Sequence, residues 1–168
     1  MRPTLRALLT LSTLAALTNA SAGQAAVGCR AFEATVLLHA TKEGCASPVG
    51  LCTKGTVESS DPSLSGATWF FTASGTAPSA GLPATLQPVS MLSYAGSVLV
   101  TTPRDGTLTT SNAGVFDTAE GAFVQLDRIT GGTGKLAGAA GRHILTTAIG
   151  GGDTGFKADI RGELCLNP

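Results

Sequence analysis

Asp127, Tyr94 and Asn112 are the residues of this chain whose types and settings best suit chemistry at an enclosed site. Asp127 lies in the run 122–130 (AFVQLDRIT), whose alternation predicts a strand. If Phe123 and Ile129 face a core, Gln125 and Asp127 face it too, and a desolvated carboxyl is a candidate for general acid–base work. Its neighbour Arg128 points the other way, and two charges at a strand end near solvent are the plainer reading. Tyr94 shares a strand face with Gly96, Val98 and Val100, and Asn112 shares one with Leu108, Thr110 and Phe116. Each is either a fixture orienting a ligand in a pocket or a core polar group with its hydrogen bonds satisfied. His39 and His143 lie on strands far apart in sequence, with no nucleophile setting such as G-x-S-x-G, so no catalytic residue is assigned.

Short strands must carry these side chains. Segments rich in β-branched and aromatic residues occur at 30–40, 51–58, 67–75, 90–102, 107–116, 122–130, 142–149 and 155–166. Turn residues separate them: Lys42-Glu43-Gly44, Ser59-Ser60-Asp61-Pro62, a proline-rich loop over 78–83, Arg104-Asp105-Gly106 and Gly150-Gly151-Gly152-Asp153. Eight strands with no periodic helix between them predict an antiparallel all-β barrel or sandwich. Closure into a barrel also removes the edges that invite aggregation. An eight-stranded barrel has an interior that side chains just fill, or that holds one small ligand. Trp69, Phe70 and Phe71 are consecutive, so Phe70 faces away from the other two, and core packing is the default for the pair.

Composition narrows the function classes. The chain has 168 residues, of which only 13% are charged and 22 are glycine. Residues 1–22 read as an export signal: two arginines, an apolar run over 7–18, and Ala20-Ser21-Ala22 as the cleavage site. The apolar run is too short for a membrane span, which needs roughly 20 residues. Residues 23–168 then form a single domain, secreted or periplasmic, with nine basic against eleven acidic residues. No concentrated basic face for nucleic acid is expected from that balance. Export makes Cys29, Cys45, Cys52 and Cys165 an even set for disulfides. The expected pairs are Cys45–Cys52, across a turn, and Cys29–Cys165, joining the first strand to the last as barrel neighbours. Their spacing contains no C-x-x-C pair, so no metal site is expected. Acylation of Cys29 within Ala26-Val27-Gly28-Cys29 is the competing use, and it would strand one cysteine.

The most distinctive segment is Gly131-Gly132-Thr133-Gly134-Lys135-Leu136-Ala137-Gly138-Ala139-Ala140-Gly141. A phosphate loop would need glycine where Ile129 stands and a hydroxyl residue where Leu136 stands. A dinucleotide fingerprint would need a packing helix, and too few residues remain before the next strand. No cofactor is expected. The glycines suit a tight connection between strands, with a short helical turn at 135–139.

This segment resembles the GGTG-[KR]-F-x-x-A-x-G element of the allene oxide cyclase and dirigent barrel superfamily, with Leu136 in place of Phe. The upstream Ser93-Tyr94-Ala95-Gly96-Ser97 and Gly106-Thr107-Leu108-Thr109-Thr110-Ser111 are similar to secreted bacterial and fungal members, and the likeness spans about 94–165. It implies an eight-stranded barrel enclosing an apolar substrate. The paired acidic residues of plant dirigent proteins have no clear counterpart, so none is carried over. The expectation is a secreted barrel that binds a small apolar ligand near Tyr94, Asn112 and Asp127. An isomerase or cyclase using that pocket, and a structural or surface-interaction module with a filled interior, are the alternatives.

Overall fold

A computed structural model describes residues 28–78, 90–147 and 155–166. The expected leader, most of the proline-rich loop after Pro78 and the Gly150–Asp153 turn lie outside these residues. Eight strands follow one another: β1 (Gly28–Ala40), β2 (Cys52–Ser59), β3 (Thr68–Pro78), β4 (Met91–Thr101), β5 (Thr107–Asp117), β6 (Ala122–Gly132), β7 (Ala140–Thr147) and β8 (Phe156–Leu166). They close in sequence order into an antiparallel barrel, with β8 pairing back onto β1 from Gly28↔Leu166 to Leu38↔Phe156. The all-β barrel expected from the sequence is the fold found. Strand β3 runs past the expected Gly75 to Pro78, and the expected helical turn is a 3-10 turn at Gly134–Leu136.

Alternation sends one face of every strand into the interior. Phe32, Ala34, Val36 and Leu38 of β1 meet Trp69, Phe71 and Ala73 of β3, Val98 and Val100 of β4, and Ala158 and Ile160 of β8 in one core. Phe70 faces away and is half-buried, as the sequence indicates.

One end of the barrel is plugged. The β2–β3 connection brings Leu64 and Ala67 under the strands, and the glycine-rich β6–β7 connection brings Leu136 and Ala139, none more than 4% exposed. Arg30 and Ser63 donate hydrogen bonds to the Asp61 carboxylate at this end. Burial works to raise the Asp61 carboxyl, but these bonds outweigh it and hold its pKa below the ordinary value. The β4–β5 turn presses directly on the glycine segment. Gly106, at φ +111°, has the Thr133 carbonyl oxygen 2.1 Å from where a Cβ would stand, so no other residue fits there. The loop's own amides are spent internally, Thr133 N–H on Thr107 and Lys135 N–H on Asp105, while Lys135 Nζ pairs with Asp105 at 2.6 Å.

Both expected disulfides are present. Cys29 and Cys165 are direct cross-strand partners at the β1–β8 seam, and Cys45–Cys52 staples the β1–β2 connection. Two disulfides indicate an oxidising environment. Among the described residues no helix is long and apolar enough to cross a membrane.

Candidate functional site

Strand register stacks the interior of β4 to β8 in layers. One layer runs Gly96, Asn112, Asp127, His143, Gly162 and Phe32 across successive strands. The next layer, farther from the plugged end, runs Tyr94, Gly114, Gln125, Leu145 and Ile160. Glycine alternates with bulk for a steric reason. A Cβ at Gly114 would lie 2.5 Å from the Tyr94 ring and hydroxyl, so the bare backbone there lets Tyr94 lie across β5 and reach Gln125 on β6. A Cβ at Gly162 would lie 2.3 Å from that of His143.

Asp127 is at the centre of the deeper layer and is buried, not set near solvent at a strand end. Its Oδ1 accepts from Thr110 Oγ1 at 2.8 Å and Asn112 Nδ2 at 3.3 Å, and its Oδ2 accepts from Gln125 Nε2 at 2.8 Å. Gln125 Oε1 in turn accepts from Tyr94 Oη at 2.9 Å. The three residues singled out in the sequence therefore belong to one network, with Thr110 and Gln125 as links. They do not share one surface. Tyr94 lines a cavity at the end opposite the plug, whereas Asn112 and Asp127 are walled off from it beneath Gln125.

His143 is the member that sequence reasoning did not place. Its Nε2 lies 3.5 Å from Asp127 Oδ2, and Phe32 and Trp69 clamp its ring edge-on with centroids 5.9 and 5.8 Å away. Neither ring nitrogen, nor Asn112 Oδ1, has a hydrogen-bond partner among the described residues. Burial drives the His143 pKa below its ordinary value, and the opposing pull of Asp127 does not restore it. The unfolded chain thus takes up a proton near pH 6.5 that the folded protein refuses. This contribution to stability is complete above that pH and is lost as pH falls below it. Urea unfolding followed from about pH 7 to pH 5 should show the midpoint falling, with a shallower slope in H143Q. Equal slopes would mean that His143 gains its proton freely in the fold.

The cavity itself has a volume of about 70 Å³ and an almost wholly apolar wall. Leu38, Phe71 and Leu145 form its floor, while Phe116, Phe123 and Phe156 stand half-buried around its opening. Phe116 and Phe156 meet edge-to-face with centroids 6.0 Å apart, and Tyr94 meets Phe71 likewise at 5.6 Å. Gln125, Thr53 and Tyr94 are its polar lining residues. The described residues contain one grouping of potential metal ligands, Cys29, Glu163 and Cys165, and both sulfurs there belong to the disulfide.

Tyr94 is the only tyrosine in the chain. Burial pushes its pKa well above the ordinary 10.0, and the nearby Asp127 charge adds to the shift. The unfolded chain loses this proton near pH 10 while the folded protein keeps it, so the associated stability is intact below that pH and declines above it. Phenolate absorbance at about 295 nm should stay absent at about pH 11 for as long as the protein is folded. An ordinary titration midpoint in the folded state would contradict the buried placement.

No protein-family model, curated protein or solved structure matches this chain.

Proposed function

We propose that this protein is an exported barrel that binds a small apolar ligand through its aromatic-ringed end. The observation that carries the reading is the asymmetry of the two ends. One is plugged by leucine and alanine side chains, while at the other the described residues set four half-buried aromatic rings around a cavity. Half-buried aromatic rings converging on a few polar groups are a common composition of small-molecule sites. The cavity is well below the few hundred cubic ångströms of a typical drug-sized site, so it suits a slender ligand, or one end of a larger molecule whose remainder lies among the rings. The likeness of the glycine segment to the allene oxide cyclase and dirigent superfamily, and the leader over residues 1–22, agree with an exported binding barrel.

A cyclase or isomerase acting in the same cavity has less support. Asp127 and His143, the buried groups suited to acid–base work, do not line the cavity, and Tyr94 is held as a neutral phenol. Binding is tested by adding short-chain apolar compounds and following melting temperature and methyl NMR spectra. Leu38 and Leu145 methyl shifts with a raised melting temperature are expected. If no compound moves either signal, the interior is simply filled and the structural or surface-interaction reading takes over. Chemical conversion of a bound compound would favour the cyclase reading.

A further inference from the structure

The hydrogen bonds behind the cavity have a fixed direction. Both side-chain oxygens of Asp127 act as acceptors, taking hydrogen bonds from Thr110, Asn112 and Gln125. Its demand orients the Gln125 amide: Nε2 must face Asp127, which leaves Oε1 facing Tyr94. An amide oxygen accepts and cannot donate, so the Tyr94 hydroxyl spends its single proton on Gln125. What Tyr94 retains at the cavity wall is acceptor capacity alone. Thr53, the other hydroxyl lining the cavity, rotates freely between donor and acceptor and does not discriminate.

We infer that the cavity selects apolar molecules bearing one hydrogen-bond donor, an alcohol or phenol, over matched molecules bearing only an acceptor, because Asp127 acting through Gln125 sets Tyr94 as an acceptor. This rests on the binding reading above and names the ligand class for that site. Tyr94 touches the ligand, and Asp127 is a positioning residue that never reaches it.

The inference gives Asp127 an effect that a merely structural residue would lack. In D127N the new amide presents an N–H to Gln125, which then gains by turning its own amide over. Gln125 Nε2 would donate to Tyr94 Oη, freeing the hydroxyl proton to point into the cavity. The probes are 1-hexanol and 2-hexanone, of equal chain length, with dissociation constants read by NMR titration on wild type, D127N and Y94F.

Wild type should prefer the alcohol by about fivefold, the worth of one ordinary hydrogen bond. In D127N the ketone should tighten by a similar factor and the preference vanish, whereas in Y94F the preference should vanish without the ketone tightening. Equal wild-type affinity for both probes overturns the inference and leaves the binding reading intact. So does an alcohol preference that persists in Y94F, which would place the acceptor elsewhere. If neither probe binds wild type, the binding reading fails and takes the inference with it. Should D127N not fold, the Y94F comparison decides.

Discussion

Replacing Cys29 and Cys165 together by serine should lower the stability of the folded protein by about 5 kcal/mol, the loop-entropy expectation for so long a closed loop. The bond joins residues 136 apart in sequence, so it constrains nearly the whole described chain in the unfolded state. It also closes the seam between β1 and β8, where the two cysteines face each other in register. Replacing Cys45 and Cys52 removes a link spanning only 7 positions, for which the same relation gives about 2 kcal/mol. The two double mutants are to be compared by urea unfolding under non-reducing conditions. A larger loss from the short link would mean that the seam is held mainly by its hydrogen bonds and packing.

D127A should be nearly as damaging, costing about 3–5 kcal/mol, because it strands Thr110, Asn112 and Gln125 as buried donors and opens a void beside His143. D127N keeps the volume and one acceptor oxygen, so it should recover more than half of that loss. Chemical denaturation of the two variants side by side checks the ordering. If D127A and D127N are equally stable, the network is not what holds this layer together, and packing around His143 carries it.

The strand order and most strand limits were legible because apolar alternation and turn residues agree along the chain. The segment 122–130 shows how far that goes. Alternation from Phe123 to Ile129 placed Gln125 and Asp127 on the inner face, and both are buried. It could not tell whether Asp127 stood deep in the barrel or at a solvent end, since that depends on how far β6 slides against β5 and β7. The missing information was register. The β6–β7 hairpin is centred on Lys135, which sets Asp127 opposite His143 and Arg128 opposite Arg142.

Without knowing which residue of 131–141 centres the turn, His143 is only one more strand histidine. Cavity size was illegible for a related reason. Tyr94 enters the interior because its cross-strand neighbour happens to be Gly114, and neighbours across a sheet are not adjacent in sequence.

The layered interior has a practical corollary for spectroscopy. Trp69, the only tryptophan, lies against the His143 imidazole and also lines the cavity, where it is joined by Tyr94, the only tyrosine. Indole emission therefore reports on both storeys of the barrel, and the phenol on the cavity storey. Indole emission is sensitive to protonation of an adjacent imidazole, and phenol absorbance follows the environment of the cavity wall. An acid titration and a ligand titration can each be followed optically, with no label attached to the protein.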